Sequence, residues 1–395
     1  MRQRQEQNVH GSNPTCQRTE PNCTNALAFA SVFVVFAHLF YLDELENPLE
    51  GPETTAQRKF DHLAICLERE VETGDTLLDD VCLLPQALPE LGLEDVDTSQ
   101  RFLGRRLAFP LVIAAMTGGC EEAAAINASL ATVAARHGIA FGVGSQRAMI
   151  ENPGLTPTYQ VRSKAPEVFL LANIGITALK QYSLDRIHEA VRAIEADALC
   201  VHLNPAQELF QAEGERDFSA CAARLAELCA GSPYPVIGKE VGCGIDRTSA
   251  DRLKRCGVSA IDVGGAGGTN WILVDALRSG ADPGPFRDWG IPTAASLLEA
   301  SGTGLPLIAT GGVRNGLQMA KALALGADLC GIALPFLRIL RREGVEGVER
   351  YLEDLKRQLR QALFLTGART VADLKARQPV LGPRLRNWVE QRSRT

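Results

Sequence analysis

Eight short apolar runs, each handing over to a glycine-rich or polar cluster, constrain this chain more than any other feature. They occupy residues 111–116, 139–143, 168–172, 198–203, 235–237, 260–263, 305–309 and 329–334. Runs of this length without polar alternation are buried on both faces, as in a parallel sheet covered by helices. The stretches between them have helical composition. In 184–196, Leu184, Ile187, Val191 and Ile194 fall on one stripe. Eight such units in about 225 residues predict an α/β fold of the (β/α)8 TIM-barrel type. An open doubly wound sheet is the alternative, but no Gly-x-Gly-x-x-Gly follows the first run. A last helix at 335–365 closes the barrel, and the turn-rich segment 75–110 (Pro85, Pro89, Pro110) covers one end. Every polar or glycine cluster follows the C-terminal end of its run, the face on which such barrels carry their active sites.

The net charge of −6 gives no footprint for nucleic acid, and 46% apolar residues exclude a disordered acidic chain. The 11 cysteines are odd in number and lack Cys-x-x-Cys or zinc spacing. They read as reduced, buried thiols of a cytoplasmic protein. Residues 26–42 form an almost unbroken apolar run of 17, followed directly by Asp43-Glu44-Leu45-Glu46 with no cleavage site. A short membrane anchor, a segment packed on the barrel, and translated sequence upstream of the true start all account for it. The rest of the chain begins near Pro52 and needs nothing before it. The expected organisation is a disordered extension at 1–52, a catalytic domain at 53–370 and a tail at 371–395, with no membrane partner.

At the end of the fourth run stands His202-Leu203-Asn204-Pro205-Ala206-Gln207-Glu208. It offers an imidazole, two carboxamides and a carboxylate, which orient a polar ligand and hold a hard cation such as Mg²⁺. It offers no nucleophile, so the chemistry falls to a cofactor. A lone His202 would be an ordinary strand-end histidine; its company reverses that reading. Arg58 and His62 share a helix face. An isolated Arg58-Lys59 pair would be a solvated helix start, but with Arg147 it makes an anion clamp. Gly311-Gly312 after the seventh run and Ala333-Leu334 after the eighth form a phosphate cradle beside the helix beginning near Arg314. The 264–269 cluster has four glycines in six residues, and its Thr269 offers a hydroxyl. Lys239, at the fifth strand end, needs a partner such as Glu240 or Glu208. Otherwise it serves as a cation near the electron-rich edge of a flavin flanked by Met116, Thr117 and Asn173.

These pieces together resemble the type 2, FMN-dependent isopentenyl-diphosphate delta-isomerases. The resemblance is carried by Arg58-Lys59-x-x-His62, Ala115-Met116-Thr117-Gly118-Gly119, Gly144-Ser145-Gln146-Arg147, Asn173-Ile174-Gly175, the 202–208 stretch, Gly238-Lys239-Glu240-Val241-Gly242, 264–271, 287–293 and Thr310-Gly311-Gly312-Val313-Arg314. It spans about 56–370. The resemblance implies that Ala115, Met116, Thr117, Ser145, Asn173, Lys239, Gly264, Thr269, Gly311, Gly312, Val313, Arg314, Ala333 and Leu334 bind FMN. Many relatives carry serine at the position of Gly264. It implies that Arg58, Lys59, His62, Ser145, Gln146, Arg147 and Gln207 bind the substrate, and that Glu208 ligates Mg²⁺. Gln207, His202 and Asn204 then lie nearest the chemistry. It further implies NADPH as reductant, a small-molecule diphosphate substrate and a homo-oligomer, a tetramer or octamer. Two competing readings are an FMN-dependent 2-hydroxy-acid oxidoreductase, which leaves Arg58-Lys59 and Glu208 without a role, and a non-catalytic, membrane-tethered barrel.

Overall fold

The computed structural model describes residues 55–392. The extension 1–52 with its apolar run lies outside the described residues. The chain opens with α1 (Thr55–Glu68), then β1 (Val81–Cys82) and a hairpin of β2 (Gln100–Phe102) and β3 (Arg105–Leu107). The barrel units follow: β4 (Leu111–Ile113), α2 (Glu121–Arg136), β5 (Ala140–Gly142), α3 (Arg147–Glu151), β6 (Phe169–Gly175), α4 (Ala178–Gln181), α5 (Leu184–Ala193), β7 (Ala198–Leu203), α6 (Pro205–Phe210), α7 (Cys221–Gly231) and β8 (Val236–Glu240). Next come α8 (Arg247–Cys256), β9 (Ala260–Asp262), α9 (Trp271–Ser279), α10 (Thr293–Ser301), β10 (Leu307–Thr310), α11 (Gly316–Ala324), β11 (Leu329–Ile332) and α12 (Leu334–Leu365). The chain finishes with α13 (Val371–Ala376), β12 (Val380–Leu381) and α14 (Pro383–Arg392).

Strands β4 to β11 are parallel and close into an eight-stranded barrel, β11 pairing with β4 through Cys330↔Leu111. Each expected run supplies one strand. The pleat sorts each strand into two rows. Outward residues such as Leu111, Ile113, Phe141, Leu170 and Leu199 join the large core beneath the helices. Inward residues Val112, Ala140, Phe169, Leu171, Ala198, Cys200, Ile237, Ala260, Ile308 and Leu329 pack with one another. Two hairpin side chains, Phe102 and Leu107, join that inner cluster, each 2% exposed. The turn-rich lead-in therefore seals the N-terminal end of the barrel, as its composition predicts.

The inward rows change character one step toward the other end. Two residues beyond Leu171, Cys200, Ile237, Ala260 and Ile308 come Asn173, His202, Lys239, Asp262 and Thr310. A polar layer thus rests on apolar layers and faces the C-terminal mouth.

Two expectations at the C-terminal end are revised. The closing helix is not continuous: Gly344 (φ 70°, ψ −166°) breaks α12 into two segments. The segment after 370 is part of the packed unit. Strand β12 pairs antiparallel with β1, Leu385 is fully buried, and Trp388 and Arg392 both donate to Glu299. Among the described residues, no helix is long and apolar enough to cross a membrane. The described cysteines are free thiols; six of them, including Cys66, Cys200 and Cys330, are buried.

Candidate active site

A single cleft at the C-terminal mouth collects side chains from all eight strand ends and from α1. Its floor is the polar layer. Asn173 donates through Nδ2 to the Val143 carbonyl at 3.2 Å, which turns its Oδ1 toward His202 Nδ1 at 2.9 Å. His202 Nδ1 therefore carries the proton, and Nε2 keeps its lone pair. Burial, then the positive charges of Lys59 and Lys239, push the imidazole down to about 3, so it is neutral before a ligand binds. Lys239 Nζ bonds Asp262 Oδ2 at 3.2 Å and the Glu240 carbonyl at 3.1 Å. Its carboxylate partner is Asp262, on the neighbouring strand, and not Glu208 or Glu240. The Glu240 carboxylate points away and accepts the backbone N–H groups of Val241, Gly242 and Cys243.

The wall formed by the sixth and seventh strand ends is backbone. Gly311 and Gly312 have φ of 108° and 73°, where a side chain is strained. A Cβ on Gly311 would meet the Gly265 carbonyl at 2.0 Å, and one on Gly312 the Gly267 carbonyl at 2.2 Å. The two glycine loops thus touch through backbone alone, with Gly331, Ala333 and Leu334 completing this side of the cleft. Thr310 Oγ1 is buried here without a hydrogen-bond partner. An unpaired buried hydroxyl costs free energy until a ligand satisfies it.

The opposite rim is charged. Pro205 starts α6 at a position where its missing N–H is no loss. Asn204 stands at the cap position but does not cap; its Nδ2 donates to Gln207 Oε1 (3.2 Å) and Glu208 Oε1 (3.0 Å). Asn204 Oδ1 is buried and unpartnered. Glu208, 8% exposed, takes its second bond from the Glu215 backbone N–H at 2.7 Å. Among the described residues it makes no ion pair. Across the cleft, Arg58 pairs with Glu213 and Arg147 with Glu151. Burial and the adjacent Arg58 charge lower the Lys59 ammonium to about 8.

Of the residues named from sequence, Arg58, Lys59, His62, Ala115, Met116, Thr117, Ser145, Arg147, Asn173, His202, Asn204, Gln207, Glu208, Lys239, Gly264, Thr269, Gly311, Gly312, Arg314, Ala333 and Leu334 line this one cleft. Gln146 and Val313 do not. Gln146 is 1% exposed, and its amide donates to the Ala190 carbonyl and accepts from Asn173 N–H, so it braces the barrel wall. Val313 is fully buried in the outer core. Arg314 lines the cleft but is held by Glu72. Sequence reasoning missed Asp275 on α9. Fully buried, it accepts from His62 Nε2 (2.8 Å), Gln207 Nε2 (3.1 Å) and Arg278 Nε (3.3 Å). The available signal was a carboxylate inside the apolar stretch Ile272-Leu273-Val274-Asp275-Ala276. Trp271, edge-on to His62 at 5.2 Å, adds an aromatic wall.

Fold and site define a flavin barrel, and residues 202–380 match the family described as FMN-dependent dehydrogenase. Solved structures of similar fold include a mandelate oxidase variant (20% identity, TM-score 0.60, covering 84% of this chain and 100% of that one). A lactate oxidase of Pediococcus acidilactici is similar too (18% identity, TM-score 0.59, covering 82% and 87%). At such identity the likeness establishes the barrel alone. Closer in sequence are isopentenyl-diphosphate delta-isomerases. That of Archaeoglobus fulgidus is 46% identical over 345 residues, covering 86% of this chain and 99% of the relative. That of Methanoregula boonei is 44% identical over 350 residues, covering 85% and 96%. The chain belongs to the isopentenyl-diphosphate delta-isomerase family.

Proposed function

We propose that the protein interconverts isopentenyl diphosphate and dimethylallyl diphosphate, with reduced FMN on the glycine wall and Mg²⁺ at Glu208. The observation that carries this reading is that three cations, Arg58, Lys59 and Arg147, face one cleft with Glu208, which makes no ion pair among the described residues. Cations on one side and a lone carboxylate on the other suit a diphosphate and a hard cation.

The residues fit both groups. FMN would rest on Asn173, Lys239 and Thr310 and along Gly311 and Gly312, whose backbone leaves no room for side chains. Bound there and reduced by NADPH, it supplies negative charge and a proton-carrying ring edge for moving an unactivated double bond. Among the described residues no cluster of three metal-ligating side chains occurs. Glu208 would supply the carboxylate that holds Mg²⁺, a cation commonly bound through one or two carboxylates together with substrate phosphates.

The chain's own residues bind, orient and shield. Arg58, Lys59 and Arg147 take the diphosphate, and that remote binding energy positions the alkene. His202, neutral beforehand, gains a reason to hold a second proton once an anion arrives beside Nε2. Gln207 is fixed at both ends of its amide, Oε1 by Asn204 and Nε2 by Asp275, so it presents one defined N–H to the cleft. The protein works in the cytoplasm as a homo-oligomer; the exposed apolar residues Leu209, Phe286 and Trp289 support the second part of that reading.

The test is anaerobic turnover of isopentenyl diphosphate by the FMN-loaded protein with NADPH and Mg²⁺. Dimethylallyl diphosphate should accumulate, and its absence overturns the reading. Glu208→Gln should raise the Mg²⁺ concentration for half-maximal rate by about tenfold or more while FMN stays bound.

A further inference from the structure

Outside the assigned set, the loop between α6 and α7 carries Glu213, whose carboxylate joins two helices. Its Oε1 accepts from Arg58 Nη1 at 2.9 Å, and its Oε2 from Arg278 Nη2 at 2.7 Å. The two arginine side chains are 12% and 7% exposed, whereas the Glu213 carboxylate they share is 35% exposed, so the junction sits at the surface and its worth lies in holding two helices to one loop more than in ion-pair energy. Burial opposes the charge on Glu213, but the bonds from Arg58 and Arg278 outweigh it and hold the carboxyl at about 2.

The next two residues engage the other side of the cleft. Gly214 lies against α6: a Cβ there would stand 1.9 Å from the Glu208 carbonyl. Glu215 gives its backbone N–H to Glu208 Oε2 at 2.7 Å. Three consecutive residues thus bind the arm helix α1, seat on α6 and orient the Glu208 carboxylate. The link to α1 is doubled, because Arg278 also contacts Asp275, which holds His62 one turn along from Arg58.

We propose that Glu213 is a positioning residue that couples the α1 arm to the cation-side carboxylate Glu208, so that the two ends of the diphosphate site are set by one loop. Arg58 has five N–H donors. Glu213 engages one edge and leaves the rest of the guanidinium to the cleft, which Arg58 lines. Movement of the arm is passed through residues 213–215 to Glu208. The proposal rests on the reading of Arg58 and Glu208 as diphosphate and Mg²⁺ ligands.

The test uses full-length, FMN-loaded protein with Glu213→Gln and Glu213→Asp. Glu213→Gln should raise KM for isopentenyl diphosphate and the half-saturating Mg²⁺ together, each by about tenfold, as loss of a supporting partner does. The kcat, FMN content and melting temperature should stay near wild type, and Glu213→Asp should recover part of both shifts. In ligand-free protein, Glu213→Gln should speed amide exchange in 55–62 and 213–217 together, with 121–136 unchanged. A KM shift without the Mg²⁺ shift, or neither, overturns the coupling. So does faster exchange in the loop alone. If the wild type does not turn over isopentenyl diphosphate, the functional reading fails instead, and the ligand-free exchange still decides the coupling.

Discussion

At the scale of single residues, Lys59 would give the proposed diphosphate clamp its pH dependence. With its ammonium lowered to about 8 by burial and by Arg58, it loses charge as pH rises through that value. The expected outcome is a KM for the diphosphate substrate that climbs above pH 8, measured across a pH series; Lys59→Met should raise KM at neutral pH and flatten that limb. The same shift has a sign for folding. Between about 8 and the ordinary 10.5, the unfolded chain binds the extra proton, so Lys59's contribution makes stability rise with pH there. How far such residues are legible in sequence depends on what positions them. His202, Asn204, Gln207 and Glu208 sit together because a strand ends and a helix starts within seven positions, and local chain geometry suffices. Gln146 follows a strand end as well, yet its amide turns into the wall to bond Ala190, a partner 44 residues away. Asp275 and Glu213 meet their partners 213 and 155 residues away. No local pattern announces a carboxylate whose meaning lies in a distant helix.

Among elements, the β2–β3 hairpin does most to make the barrel closed at one end. Phe102 and Leu107 complete the inner apolar cluster, and truncating a buried phenylalanine typically costs ~3–5 kcal/mol. Phe102→Ala should lower stability by about that amount in urea unfolding, with little effect on FMN affinity, since the site lies at the other mouth. The strands were legible because each is buried on both faces and therefore continuous in apolar residues. Their ends were less so: β4 stops at Ile113, and Ala114 to Met116 already belong to the cleft. The tail was hidden for a different reason. Nothing near Leu385 or Trp388 reveals that Asp80 caps the one through its N–H and that Glu299 accepts from the other. The break at Gly344 needed φ 70°, and a glycine within a charged helix predicts that only weakly.

For the whole molecule, ligand and fold are linked. A cofactor that binds only the closed barrel adds stability by mass action, about 2.7 kcal/mol at a hundredfold excess over its Kd. Loading with FMN should therefore raise the unfolding temperature, and Gly312→Ala, with a Cβ 2.2 Å from the Gly267 carbonyl, should lose that increment as well as intrinsic stability. An unchanged response in the glycine variant would show that the cofactor does not use this wall. The hairpin seal also governs traffic. Among the described residues the base of the barrel is filled by apolar side chains and capped by the hairpin, so a ligand of the polar layer enters and leaves on the side of the C-terminal mouth. On the proposed function, substrate and product would use the same cleft, and the departing diphosphate would compete with the next arrival for Arg58, Lys59 and Arg147. Product inhibition should accordingly be competitive, and the enzyme's throughput near equilibrium is set by exchange at one threshold.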